Sequence, residues 1–386
     1  MKKKILLVTG NRADYGLLKK LINELKKSKK ISLKILATGS HLMKKYGYTL
    51  NEISHDKNKV NYKVDLSIKS DTSHDISKAI STGVEKFSKI ISKTKPDLAV
   101  VLGDRYEIFS FVISANIHGV PIAHLHGGEI TQGAIDDSLR HSITKMSDIH
   151  FVANKLYMKR VRQLGENPKM IFNVGGLGVD QIRKQELFSR EKIEKKKNFS
   201  FYKKNLLITY HPETIKNKSY KEKFENILKV LSSLKDSRII FTSPNSDSGN
   251  INIYKKIKMF VKRNKNAIFF HSLGHKMYLS IVNQVDAVIG NSSSGLSEVP
   301  FLKKPTIDIG DRQKGRIKVR SIIGCNFEQE KFKKSLKKIY QKNFLRNIKK
   351  VVSPYGKGGA SRKILLILEK IDLKNIKNKK FIDLKF

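Results

Sequence analysis

The chain of 386 residues has one cysteine, Cys325, and no tryptophan, and only 34 acidic residues stand against 78 lysines and arginines. A single cysteine excludes a disulfide within the chain and fits a reducing compartment. No apolar stretch approaches the ~18 residues that a membrane-spanning helix needs. The apolar run near the start, Ile5-Leu-Leu-Val8 behind three lysines, stops at Thr9-Gly10, and charge returns at Arg12. That is too short for the apolar part of a secretory signal. A cytoplasmic location is expected, with no membrane partner.

The formal net charge is +44. An excess of this size invites a nucleic-acid reading. Yet the chain has no zinc-ligand spacing, no RNP-type aromatic motif and no basic recognition helix. Its lysines are scattered through 19–30, 195–204 and 331–350, as on solvated helix faces. No nucleic-acid partner is expected. A positive field also draws in small anionic substrates.

What the chain does have is alternation. Apolar runs bounded by turn signals are separated by helical patterns: strands at Ile5–Thr9, Leu33–Thr38, Leu98–Leu102, Pro121–Leu125, Ile149–Val152 and Ile171–Val174, with helices at Leu17–Lys26 and Ile108–His118. A second series has strands at Leu206–Tyr210, Arg238–Thr242, Ala267–Phe270, Ala287–Ile289 and Thr306–Ile309. This pattern predicts an α/β protein with parallel, doubly wound sheets. Residues 1–182 read as one Rossmann-like domain and 205–355 as another, with a polar connection over 183–204. Residues 356–372 read as a terminal helix packing back on the first domain. The Lys/Asn-rich tail 373–386 is expected to fray.

Gly290-Asn-Ser-Ser-Ser-Gly-Leu-Ser-Glu298 follows a short apolar run and precedes a helix expected over Leu296–Leu302. A strand turning through Gly, Asn and Ser into a helix presents backbone N–H groups that suit a phosphate. Glu298 is placed to reach sugar hydroxyls. The plain alternative is an ordinary turn with a Ser N-cap.

Ligands of such sheets bind beyond the carboxyl ends of the strands, so the strand ends supply the other candidates. The first strand ends in Gly10-Asn-Arg-Ala-Asp-Tyr-Gly16, which makes Arg12 and Gly16 candidate nucleotide contacts. Arg12 is a fixed planar cation that suits a diphosphate. Asp104 and Arg105 follow the Leu98–Leu102 strand, and their alternative is a mutual ion pair or helix cap. In His124-Leu-His-Gly-Gly-Glu129, alternation puts His124 and His126 on one face. A metal held by His124, His126 and Glu129 is conceivable, but the spacing matches no common zinc pattern. Asp136 and Asp137 open a helix, where acids also complement the dipole. Asp137 can pair with Arg140 or His141 one turn on. His211, Asn245 and Arg312 close the set.

These segments, in this order, resemble the hydrolysing UDP-N-acetylglucosamine 2-epimerases, in particular those of bacterial sialic-acid pathways, and the epimerase half of the animal bifunctional epimerase/kinase. The carrying residues are Gly10-Asn-Arg-Ala-Asp-Tyr15, Gly103-Asp-Arg105, His126-Gly-Gly-Glu129, the run from Asp136 to Lys145, His211-Pro212, Gly290-Asn-Ser-Ser293 and Arg312-Gln-Lys-Gly-Arg316. The resemblance spans residues 4 to about 370. It implies a GT-B fold of two Rossmann-like domains with the substrate in the cleft. It implies Ser292 and Ser293 on the diphosphate and Glu298 on the ribose. Arg12, Arg105, His211, Asn245 and Arg312 would complete the nucleotide contacts. Asp104 and Asp136, with Asp137 beside them, would be the acid/base carboxylates, and His211 is a further candidate there. Many relatives carry a catalytic Glu where this chain has His126, so that role passes to His126, to Glu129 or to another carboxylate. A homodimer or homotetramer is implied.

The implied reaction turns UDP-GlcNAc and water into ManNAc and UDP. The C2 proton lies next to no carbonyl, so UDP must leave ahead of, or with, its removal. The resulting 2-acetamidoglucal is then hydrated, which requires one acid/base group per face. No carbon is oxidised, so no nicotinamide or other cofactor is expected, and elimination requires no metal. The same reaction on UDP-N,N′-diacetylbacillosamine is the near alternative. A GT-B glycosyltransferase and a polyanion-binding protein are the alternatives from other classes.

Overall fold

The computed structural model describes every residue except 1, 45–46, 71, 132–134, 184, 212–219, 244–249, 374–375, 377–378 and 385–386. The chain divides into two compact units. The first comprises Met1–Glu129, Ile135–Gln181 and Tyr355–Phe386, and the second is mostly Ile182–Pro354.

Among the described residues the first unit has seven strands: β1 (Lys3–Thr9), β2 (Ile31–Thr38), β3 (Tyr62–Val64), β4 (Leu98–Leu102), β5 (Ile122–Leu125), β6 (Ile149–Val152) and β7 (Ile171–Asn173). Their order is β3-β2-β1-β4-β5-β6-β7, and every pairing is parallel. A parallel sheet is covered on both faces, so its strands are apolar on both. Along β1, Ile5 and Leu7 face a core completed by the helices Arg12–Lys27 and Ala360–Lys370, through Leu18, Leu21, Ile364 and Leu368. Leu6 and Val8 face the opposite core, closed by Phe87 of the helix Ser73–Thr94 and Phe111 of Tyr106–Ile117.

The second unit repeats the plan with β8 (Lys204–Thr209), β9 (Ser237–Thr242), β10 (Ala267–Phe270), β11 (Ala287–Gly290), β12 (Thr306–Ile309) and β13 (Ile322–Cys325), in the order β10-β9-β8-β11-β12-β13. Each order reverses beside its first strand, between β1 and β4 and again between β8 and β11. These are the switch points where doubly wound sheets hold ligands, outside the strands' carboxyl ends. The polar stretch 183–204 contains the helix Arg190–Lys197, and its Ile193 and Phe201 are buried with Leu207 and Val288 of the second sheet. Ile130 and Thr131 also belong to this unit, held by the Arg316 guanidinium.

Two expectations need correction. The helix after Ser293 is a single turn, Ser294–Ser297, and does not run on to Leu302. Pro300 has no N–H to give, and it disfavours helical backbone at Val299. The chain closes instead in tight turns, with Phe301 N and Leu302 N both donating to Glu298 O. The described residues of the terminal tail are also not frayed. Ile376 is buried. The Lys379 ammonium donates to Ser147 O at 2.7 Å and pairs with Glu166 at 2.7 Å, and Ile382 N donates to Gly165 O. Among the described residues, no helix is long and apolar enough to cross a membrane.

Candidate functional site

In the first unit the chain leaves β1 at Thr9 and enters a helix capped by Asn11, whose Oδ1 accepts from Asp14 N at 2.9 Å. Arg12 and Gly16 lie in its first two turns. Beyond β4, Asp104 and Arg105 do not pair with each other. The Asp104 carboxylate pairs with Arg140, and Arg105 Nε reaches Glu107 at 3.4 Å.

Arg140 organises this region. It is only 2% exposed, and its guanidinium donates to Glu129 O at 3.0 Å and to Asp137 at 3.1 Å as well as to Asp104. One cation thus ties the loop after β4, the loop after β5 and the helix Ile135–Met146. A planar fork with several donors suits that task. His141 Nε2 approaches Asp137 at 3.8 Å, so Asp137 meets both partners expected one turn on. Asp136 stands partly exposed in the first turn of the same helix.

His124 and His126 do not act together. β5 ends at Leu125, and His126 has a positive φ of 66°, so strand alternation does not extend to it. His124 is buried, with Nε2 against Gly103 O at 2.7 Å and Nδ1 against Thr144 Oγ1 at 3.1 Å. Burial pushes its pKa down to about 3, so it is neutral near pH 7 and both nitrogens are spent on packing. His126 Nε2 accepts from Leu177 N at 3.4 Å, and Nδ1 faces Glu129 Oε1 at 3.2 Å. A backbone donor at Nε2 selects the Nδ1–H tautomer, which donates to Glu129. Among the described residues, no group of three or more His, Cys, Asp and Glu side chains is arranged to hold a metal ion.

In the second unit β11 ends at Gly290, where φ is +136° and a Cβ would lie 1.9 Å from Thr209 O. Only glycine fits, because β8 and β11 touch there. Gly290→Ala is therefore expected to lower the melting temperature by about 5 °C or more, since strained backbone costs ~1–3 kcal/mol before the clash is counted. Calorimetry of the variant checks this, and an unchanged melt would show that the strands can part without cost.

Asn291 follows, fully buried. Its side chain takes both backbone groups of His211, accepting from N at 2.7 Å and donating to O at 2.8 Å. Its own carbonyl accepts from Arg312 Nη1 at 3.1 Å and Gln313 Nε2 at 2.8 Å. The loops after β8, β11 and β12 are joined through this one residue. Ser292 and Ser293 follow at the surface of the turn; Asn291 N donates to Thr209 O, and Gly295 N and Leu296 N donate to Ser292 O and Ser293 O. Glu298 is buried, bonded by His275 Nε2 at 3.0 Å and by Ser294 Oγ, which also accepts from the Tyr278 hydroxyl at 3.0 Å. Burial pushes the Glu298 pKa up, but His275 and Ser294 outweigh it and hold the group below its ordinary value. It stays an acceptor. Asn245 lies outside the described residues.

Arg140, Asn291, Gln313 and His275 are residues that reading the strand ends passed over. Arg140, Asn291 and Gln313 stand inside runs quoted above. Their signal is a polar side chain one turn or one residue away from a named candidate.

Two doubly wound units, each with charged and glycine-rich loops at its switch point, define a GT-B-like α/β protein. A crystal structure of UDP-GlcNAc 2-epimerase from Neisseria meningitidis bound to UDP-GlcNAc has the same fold, with a TM-score of 0.80 at 18% identity over 95% of this chain and 100% of that one. The family model for UDP-N-acetylglucosamine 2-epimerase matches residues 23–369, and the chain belongs to that family. It is 39% identical to the GDP/UDP-N,N′-diacetylbacillosamine 2-epimerase (hydrolyzing) of Campylobacter jejuni, over 99% of this chain and 100% of that protein. It is 36% identical to polysialic acid biosynthesis protein P7 of Escherichia coli, over 99% and 98%.

Proposed function

We propose that the protein is a hydrolysing 2-epimerase that converts UDP-GlcNAc and water into ManNAc and UDP, in supply of a sialic-acid-type sugar for a surface polysaccharide. The observation that carries this reading is Arg140 at the carboxyl ends of β4 and β5, which gathers the carboxylates of Asp104 and Asp137 and the backbone carbonyl of Glu129, with Asp136 beside them. A reaction that takes a proton from one face of C2 and returns one to the other needs more than one carboxyl group, held apart in environment.

In this reading the second unit holds the nucleotide. Ser292 and Ser293 meet the diphosphate, Glu298 accepts from the ribose hydroxyls, and His211, Asn245 and Arg312 complete the contacts. Arg12, Gly16 and Arg105, in the first unit, are further candidate contacts for the nucleotide. Departure of UDP builds oxocarbenium character that a carboxylate stabilises. A carboxylate takes the C2 proton, giving 2-acetamidoglucal, and water adds at C1. His126 steers Glu129 through its Nδ1–H. The protein is a homodimer or homotetramer in this reading, and the reaction takes place in the cytoplasm.

The 39% identity to a diacetylbacillosamine enzyme favours a second reading, the same reaction on a sugar with a second acetamido group. Incubation with each nucleotide sugar in the absence of any acceptor, followed by NMR of the products, separates the two. Free ManNAc and UDP from UDP-GlcNAc is the expected result. Turnover of the diacetylated substrate alone would move the assignment to it, and turnover of neither would refute hydrolytic epimerisation.

A further inference from the structure

The mechanism needs a group that enters the hydration step carrying a proton. A pair of carboxyl groups sits at the switch point between β1 and β4. Glu107, in the first turn after β4, is 1% exposed, and its Oε2 is buried with no hydrogen-bond partner. Its side chain lies against Gly10, where a Cβ would stand 2.7 Å from Glu107 Cγ, and against Gly39, where one would stand 3.1 Å from Oε1. Asp14 is held over the same Gly10 turn by Asn11 Nδ2, which donates to its Oδ2 at 2.6 Å, and it keeps part of its surface open to solvent.

Arg105, 3.4 Å from Glu107 Oε1, is a cation facing the pair, and Asp136 adds a third carboxylate. Burial, then the charge of Glu107, then a smaller push from Asp136 raise the Asp14 pKa to about 8 against the pull of Arg105. Burial foremost, with Asp136, raises that of Glu107 against the same arginine. A charge on Glu107 therefore disfavours a second charge on Asp14.

We propose that Asp14 is the carboxylic acid of the reaction, delivering its proton to C2 of the sugar, and that Glu107 is the positioning residue that keeps it protonated. This rests on the 2-epimerase reading above. In the step, the Asp14 O–H bond breaks and a C2–H bond forms from the electron pair of the C1=C2 double bond. Water's oxygen bonds to C1 and passes its proton to an ionised carboxylate of the Arg140 group. Asp14 then regains a proton from solvent.

Asp14→Asn should still eliminate UDP but stall at hydration. UDP appears with 2-acetamidoglucal in place of the epimerised sugar, and formation of that sugar falls by about 10² or more. Glu107→Gln removes the second charge, so the alkaline limb of the rate profile should move to lower pH. A residue that merely packs would lower the melting temperature and leave that limb in place. An independent measurement needs no substrate. With ¹³C-carboxyl-labelled aspartate, the resonance lost in Asp14→Asn should titrate well above the ordinary carboxylate range in the wild-type protein.

Titration within the ordinary range overturns the proposal. So does Asp14→Asn making the epimerised sugar at a rate within threefold of wild type. If the wild-type protein turns over no nucleotide sugar, the functional reading fails, and with it the catalytic role of Asp14. The titration then decides by itself whether Asp14 and Glu107 share a proton.

Discussion

Asp136→Asn is expected to cut turnover by about 10²–10⁴, the range that general acid–base groups contribute, with little change in melting temperature. Asp136 stands partly exposed in a first helical turn, where a carboxylate's interaction with the dipole is worth only ~0.3–1 kcal/mol. Asp104→Asn should lose a similar factor in rate and also lose stability. Its carboxylate neutralises a buried guanidinium, and breaking a buried pair costs on the order of 3 kcal/mol. Asp137 at 3.1 Å retains part of that compensation. Steady-state rates, UDP affinity and melting curves on both variants test this. UDP affinity should be nearly unchanged, because neither carboxylate is among the assigned nucleotide contacts. Turnover of Asp136→Asn within threefold of wild type would remove it from the acid/base pair.

His126→Ala is expected to lower turnover by about 10², and Glu129→Gln by a similar factor. The two losses should not add in the double variant. The Nδ1–H of His126 faces Glu129 at 3.2 Å while Nε2 is occupied by Leu177 N. The imidazole therefore acts through the carboxylate, and residues acting as a unit are non-additive. His126 also sits at a φ of 66°, a conformation that asparagine tolerates better than alanine. His126→Asn should therefore melt at a higher temperature than His126→Ala. A double-mutant cycle checks the coupling. Additive losses would mean that His126 and Glu129 serve separate steps.

The strands were the legible part of the fold. β4, β6, β10 and β12 begin and end where their apolar runs do, because both faces of a parallel sheet are buried and turn residues bound each run. β3 and β13 were missed. They are edge strands of three and four residues; Tyr62–Val64 has no apolar run to mark it, and the short run Ile322–Cys325 is interrupted by Gly324. The helix Ser73–Thr94 was missed too, since its inward residues, Ala79, Gly83, Phe87 and Ile91, are spaced among serines and lysines.

In the site, the residues at strand ends could be named because topology delivers them there. The residues that hold them could not. Arg140 reads from the sequence as an ordinary helical arginine, and only the fold brings Asp104 to it from 36 positions away. Asn291 likewise acquires its role from His211, 80 residues earlier. The proton-holding pair was hidden for the same reason. Glu107 looks like a first-turn acid until Gly10 and Gly39 close over it.

The central claim is that the chain breaks and remakes the C2–H bond of its sugar while it releases UDP. Reaction with UDP-GlcNAc in D2O, with the product read by NMR and mass spectrometry, tests it most directly. The account predicts ManNAc carrying one deuterium at C2 and an equal amount of UDP. Product that retains the original C2 hydrogen throughout would contradict it.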